Sequence, residues 1–178
     1  MMMDTTSKNV FRFCPFCGSA HFEWDGQKAH ICQDCGHKLY INEAGATIAL
    51  IYNDKNEYLF TRRRFDPAKG MLDLPGGFID LEETAEHAMI REVKEELNLE
   101  VTKLNFVATF PNTYQYAGLT YYTIDIVFDC QVEDFSPLTA LDDVQSATFL
   151  PLEKIDIEQI GLKSVKEVVK MLKIRCSR

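Results

Sequence analysis

The chain predicts an α/β protein, a mixed β-sheet sandwiched between α-helices and preceded by a small metal-held ribbon. Three observations carry that reading. Four of the six cysteines fall between residues 14 and 35. Beyond residue 40, strand-like and helix-like segments interleave, with strands in the majority. The 178 residues, 46% hydrophobic and 11% aromatic, suffice to bury a sizeable core and exclude a disordered chain. The expected division is a flexible tail over residues 1–9, a zinc ribbon over 10–40 and the main domain over 41–178.

The elements follow in order. Gly45–Tyr52 is an apolar run that reads as a strand, Asn53-Asp54-Lys55-Asn56 as a turn, and Glu57–Arg63 as the returning strand of a hairpin. Gly70, Pro75, Gly76 and Gly77 punctuate a loop-rich stretch. Ala85, Ala88, Met89, Val93 and Leu97 recur at spacings of three and four, which predicts a helix over about residues 83–98. Val101–Phe110 and Leu119–Val132 are β-rich. In the second, Tyr122, Ile124, Ile126 and Phe128 alternate with Tyr121, Thr123, Asp125 and Val127, as in a strand with two distinct faces. Gln145–Leu150 reads as a last strand. Val165, Val168, Val169 and Leu172 place a closing amphipathic helix over Lys163–Lys173.

Charge narrows the function. Nineteen basic against twenty-seven acidic side chains give a net charge of −8, which argues against nucleic-acid or membrane-surface binding. No run approaches the ~18 apolar residues of a membrane span, and the first eight residues lack the apolar core of a secretory signal. A cytoplasmic protein is expected. Residues 1–40 are neutral, whereas residues 80–100 hold eight acids against Arg91 and Lys94. Such a block is ordinarily a solvated face.

Cys14-Pro15-Phe16-Cys17-Gly18 and Cys32-Gln33-Asp34-Cys35-Gly36 form two CxxC pairs fourteen residues apart. Two short knuckles, each followed by a glycine able to take positive φ, assemble four soft ligands for tetrahedral Zn²⁺. Disulfides, a redox CxxC and ligation by His37 are the weaker alternatives. With all four positions filled by protein, the zinc is structural. Phe11, Phe13, Phe16, Phe22 and Trp24 supply a core too small to fold without it. Cys130 and Cys176 read as bystanders.

On the predicted helix Glu92 lies three residues from Glu95 and four from Glu96, so the three carboxylates share one side. Converged beneath a cleft they make a hard-oxygen site for Mg²⁺ or Mn²⁺. From Gly77 the chain reads glycine, five residues, Glu83, seven residues, Arg91-Glu92-Val93-Lys94-Glu95-Glu96-Leu97-Asn98-Leu99. This resembles the signature of the Nudix hydrolases over all twenty-three positions but one: Asn98 stands where the family has glycine. That position looks like a left-handed helix end, where asparagine is the next best residue. Glu82 also stands where many members carry glycine.

The resemblance implies hydrolysis of a nucleoside diphosphate linked to another moiety, at the diphosphate. It implies that Glu92, Glu95 and Glu96 hold divalent cations, that the Gly76 carbonyl adds a ligand, and that Glu83 and Arg91 form a bridge locking loop to helix. A further acid from a distant loop is implied; Asp142 and Asp143 are the candidates, with Asp143 preferred. The carboxylate that takes the proton of the attacking water stays open.

Arg62, Arg64 and Lys69 are candidates for phosphate contacts, and Tyr114 and Tyr116, in an aromatic cluster with Phe110, Tyr121 and Tyr122, for stacking on a base. A ribbon ahead of such a domain resembles the NADH and related dinucleotide pyrophosphatases. Their tryptophan-containing motif after the glutamate helix is absent here, since the single tryptophan is Trp24. The expected partner is a small nucleotide substrate (ADP-ribose, a dinucleotide such as NADH or FAD, or a nucleotide sugar), with homodimerisation frequent among relatives. A nucleotide-sensing regulator or adaptor docking through the ribbon is the alternative; RNA decapping is disfavoured by the acidic surface.

Overall fold

The structure, a computed structural model, describes residues 5–176. It divides into two compact units. The first comprises the residues up to Glu43 together with Thr113–Tyr122, so the ribbon unit extends three residues past the expected boundary and takes in a later segment. Its antiparallel sheet runs β1 (Phe22–Trp24), β2 (Ala29–Cys32), β3 (Lys38–Tyr40). Asp25 sets the β1–β2 turn: its Oδ1 accepts the backbone amides of Gln27, Lys28 and Ala29 at 2.7, 2.9 and 3.1 Å. Phe11, Phe22 and Leu39 pack about Cys14 and Cys32.

Residues 5–9, expected as a flexible tail, carry structure instead; residues 1–4 and 177–178 lie outside the described residues. Ser7–Val10 forms one helical turn, α1. Ser7 is buried, and its carbonyl lies 3.2 Å from Nε2 of buried His30. The Thr5 carbonyl accepts the Thr120 amide at 2.8 Å. These bonds to interior groups tie the segment down.

The second unit holds two three-stranded sheets. In one, β4 (Ala44–Leu50) runs parallel to β8 (Leu119–Gln131), with β7 (Lys103–Tyr116) beyond it. In the other, β5 (Tyr58–Arg63) sits between β6 (Leu72–Asp73) and β9 (Val144–Leu150), antiparallel to both. Two helices complete the unit, α2 (Ala85–Leu97) and α3 (Lys163–Cys176). Alternation along β4 sorts its side chains between two cores. Ile48 and Leu50 join Val165, Val168, Val169 and Leu172 of α3, while Ala49 and Ile51 join Met89, Val93 and Leu97 of α2. A strand covered on both faces reads as an unbroken apolar run, as Ile48–Ile51 does. The mixed architecture with helices on its faces is therefore the expected one.

Three details depart from expectation. Residues 45–63 are a hairpin only at the base, where Leu59 N–H bonds the Ile51 carbonyl at 2.8 Å; above it β4 and β5 enter different sheets. The two faces expected of β8 are both covered, a detail beyond the alternation itself, since Val127 and Phe128 are each buried, one in each core. Finally, β7 continues past Pro111 to Tyr116, which an edge strand permits because a missing N–H costs no ladder bond there. Ala117 and Gly118, both at positive φ, then close a two-residue turn.

Phe60, 1% exposed in the α3 core, tests this packing. Phe60→Ala is expected to lower the unfolding free energy by about 3–5 kcal/mol in urea titration, whereas Leu81→Ala, at a residue 98% exposed, changes it by no more than ~0.5 kcal/mol.

Candidate active site and cysteine cluster

The site begins with a glycine loop fastened to β4. Ala49 N–H bonds the Pro75 carbonyl and Thr47 N–H the Gly77 carbonyl, each at 2.8 Å, which leaves the intervening Gly76 carbonyl outside the ladder. Gly76 sits at φ 140°, and a β-carbon there would collide with the Thr47 carbonyl oxygen. A β-carbon on Gly77 would fall 2.5 Å from Glu92 Oε1. The two glycines are thus the space into which strand and carboxylate fit.

Helix α2 is capped by Thr84, whose hydroxyl accepts the His87 amide at 3.2 Å. It ends at Asn98 in the left-handed conformation, φ 54° and ψ 30°, as its place in the signature implied. Glu82 also takes positive φ, 64°, which is why glycine suits that position. Ala88, Met89, Val93 and Leu97 are fully buried, and this fixes which way the acids turn.

Arg91 organises them. Its Nε and one terminal nitrogen grip both Glu83 oxygens at 2.9 Å. The other terminal nitrogen reaches Glu92 at 2.8 Å and Glu95 at 3.0 Å, and the first also donates to the Phe78 carbonyl at 3.0 Å. The Arg91 guanidinium holds Glu83 at about 2, and Glu83 in turn raises the arginine. The bridge inferred from the signature is present, and it extends to two of the three helix acids.

Glu96 lies beyond Arg91's reach. It is 5% exposed, and its Oε2 accepts the Gly76 amide at 2.9 Å. Asp143 is brought against it by the turn before β9, where the Leu141 amide bonds the Glu96 carbonyl at 2.8 Å. Burial raises Glu96 well above the ordinary carboxylate range, the Gly76 amide opposes, and Asp143 adds to the rise. Burial likewise raises Glu92, against the pull of Arg91. Among the described residues, Glu96 and Asp143 have no ion-pair partner between them. A buried carboxylate in contact with a half-buried one is a hard-oxygen donor set, and that chemistry fits a divalent cation.

The other candidates divide. Arg64 donates to the Asp142 carbonyl and, at 2.7 Å, to that of Val144, while its own amide bonds the Asp143 carbonyl at 2.7 Å. Arg62 donates to the Gly70 carbonyl at 2.9 Å. Both guanidinium groups, expected at phosphate, bond backbone carbonyls of the protein, because strand β5 ends beside turns the sequence does not reveal. Lys69 is exposed. Tyr114 and Tyr116, two apart on one strand face, have ring centroids 6.5 Å apart and belong to the first unit.

A buried polar trio went unread in the sequence. Asp125 accepts from Asn112 Nδ2 at 3.1 Å and from the Thr123 hydroxyl at 2.6 Å, and Asn112 Oδ1 has no partner among the described residues. The available signal was an aspartate set between Ile124 and Ile126 in a strand.

In the first unit the sulfurs of Cys14, Cys17, Cys32 and Cys35 all lie within 4.8 Å of one another, with Cys14–Cys35 at 3.8 Å and Cys17–Cys32 at 3.6 Å. A Zn–S bond of about 2.3 Å implies a tetrahedral edge of about 3.8 Å, so the cluster fits zinc. The knuckles repeat one geometry: Gly18 and Gly36 take φ 76° and 74°, and their amides bond the Cys14 and Cys32 carbonyls. The Cys35 and Asp34 amides help hold the Cys32 thiol at about 7. His37 stacks on Phe16, centroids 5.4 Å apart, rather than joining the sulfurs.

An acid-bearing helix locked beneath a glycine loop, beside a mixed sheet, defines a class of hydrolase. The NUDIX domain family matches residues 42–170, and the chain belongs to that family, the Nudix hydrolases. It is 36% identical over 121 residues to an ADP-ribose pyrophosphatase of Methanocaldococcus jannaschii, covering 67% of this chain and 68% of that protein. A NAD-capped RNA hydrolase NudC of Vibrio atlanticus is 27% identical over 166 residues, 88% of this chain but only 61% of the relative's length. A NUDIX hydrolase from Nitrosomonas europaea shares the fold with a TM-score of 0.66 at 19% identity, over 90% of this chain and 89% of that one. No helix among the described residues is long and apolar enough to cross a membrane.

Opposite shifts give opposite pH signatures. The raised Glu96 opposes folding while charged, and that opposition fades as pH falls through its folded pKa. Glu96→Gln is expected to raise the melting temperature at pH 7 in metal-free buffer, by a gain that shrinks toward pH 4.5. Glu83, held at about 2 against an ordinary 4.5, contributes stability that is complete above 4.5 and lost as pH falls toward 2. Glu83→Gln is expected to lower the melting temperature at pH 7 and flatten the acid limb, both readable by calorimetry.

Proposed function

We propose that the protein is a Mg²⁺-dependent pyrophosphohydrolase that splits the diphosphate linkage of a nucleoside diphosphate derivative, with ADP-ribose the first substrate to try and NADH, FAD or a nucleotide sugar the others. The observation that carries the reading is the contact of Glu96 with Asp143, two carboxylates without an ion-pair partner among the described residues, next to Glu92. The name of the M. jannaschii relative supports the ADP-ribose assignment.

In this reading Glu92, Glu95, Glu96 and Asp143, with the Gly76 carbonyl, would hold the divalent cations. Bound there, the cations supply charge neutralisation for the diphosphate and acidify a water. The chain's own groups do the rest. Arg91 holds Glu92 and Glu95 in place from within, and its bond to Glu83 fixes the helix to the preceding loop. The Gly76 amide fixes one Glu96 oxygen. Arg64 secures the Asp142–Val144 turn. In the reaction a water oxygen bonds to one phosphorus, the bridging P–O bond breaks, and the bridging oxygen leaves with the other phosphate. The water's proton passes to a carboxylate of this cluster.

The four cysteines, in the same proposal, hold one structural Zn²⁺, since their sulfurs leave no open position for chemistry.

Assay of product release with ADP-ribose and Mg²⁺ is expected to yield AMP and ribose 5-phosphate. Glu95→Gln and Glu96→Gln should each cut kcat by at least ~100-fold, about 3 kcal/mol of transition-state stabilisation, with the circular dichroism spectrum unchanged. Near-normal turnover in both variants would falsify the assignment, and binding of ADP-ribose without any product would indicate a sensor instead. Metal analysis of the purified chain should find one zinc, and its removal should unfold residues 10–40, seen as lost amide protection.

A further inference from the structure

The first unit contains a cleft of about 240 Å³ that the acidic helix does not use. Its walls come from the ribbon, the N-terminal segment, the residues after β3 and the start of β8. Trp24 and Tyr122 give it aromatic surfaces, Lys8 and Lys28 give it cations, and Asn42 and Glu43 give it hydrogen-bonding groups.

These walls are held in place. Trp24 packs edge-on against buried His30, centroids 5.2 Å apart, and His30 is stacked in turn on Phe22 at 5.0 Å. The Asp25 carboxylate fixes the backbone of Gln27 and Lys28. The Lys28 ammonium rests 5.7 Å from the Tyr40 ring centroid, a contact that positions the charge and uses no acceptor. Neither Lys8 nor Lys28 belongs to an ion pair among the described residues. Sequestering one indole and two lysines at a single concavity, in a segment whose basic and acidic side chains balance overall, favours a ligand with a flat ring and a negative charge.

We infer that this cleft is a second binding site, for a purine nucleoside monophosphate, separate from the acidic helix. The base stacks on Trp24, Lys8 and Lys28 take the phosphate, and Glu43 with Asn42 meets the amine-bearing edge of the base. The volume lies a little below the ~300–1,000 Å³ of drug-sized sites, which suits an occupant the size of a mononucleotide. Base–aromatic stacking contributes about 1–3 kcal/mol, which makes the ring, not the phosphate alone, the recognised feature.

Trp24 is the single tryptophan, so its emission reports this cleft directly. AMP titrated into the full chain without Mg²⁺ is expected to quench that emission saturably, while ribose 5-phosphate, with the charge but no ring, leaves it unchanged. Lys28→Ala and Lys8→Ala should each weaken the AMP response about tenfold, with zinc content and circular dichroism as folding controls. Glu95→Gln should leave the response intact, which separates this site from the acidic helix. Absence of quenching, an equal response to ribose 5-phosphate, or loss in Glu95→Gln but not in the lysine variants overturns the inference.

Discussion

Three carboxylates on adjacent turns of one helix repel one another, and the structure manages that repulsion with a single arginine. Arg91 reaches Glu83, Glu92, Glu95 and the Phe78 carbonyl at 2.8–3.0 Å. A guanidinium can do this because its five donors lie in one plane and point in different directions; a lysine in its place could not bind Glu83 through two bonds and still serve Glu92. The loop, the start of α2 and two acids are therefore one electrostatic unit. Glu96 is left outside it, and the desolvated charge of the site concentrates there.

That concentration opposes stability. Glu96 is buried, raised and pressed against Asp143, with one backbone amide as its compensating donor. Arg63 and Asp73 show the contrasting solution. Asp73 is raised by burial too, yet Arg63 meets it at 2.7 Å and also binds the Pro67 carbonyl. One buried acid has its countercharge built into the chain, while the other has a second acid as its neighbour. The asymmetry marks which of the two sites the fold leaves for something from outside.

The glycine loop and the cysteine knuckles rest on the same backbone logic at two scales. Gly76 and Gly77 make room for a strand carbonyl and a carboxylate. Gly18 and Gly36 take positive φ so that each knuckle can turn back on its own cysteine carbonyl. Where the chain lacks glycine at a left-handed position, as at Glu82 and Asn98, it tolerates the strain at loop or helix ends.

Much of this was legible in the order of residues. Helix α2, its buried stripe, the acids on one side and the paired cysteines all depend on short-range periodicity or fixed spacing, which a linear chain displays openly; the Glu83–Arg91 bridge followed from the resemblance to the Nudix signature. What tertiary structure alone decided involved partners distant in sequence. The separation of β4 and β5 into different sheets follows from burial on both faces of β4. The diversion of Arg62 and Arg64 to backbone carbonyls follows from where the Gly70 and Asp142–Val144 turns pass. The seating of Asp143 on Glu96, forty-seven positions away, follows from how the turn before β9 closes. A side chain's type is written in the sequence, but the atoms it meets are chosen by chain reversals many residues off, and those depend on the whole core.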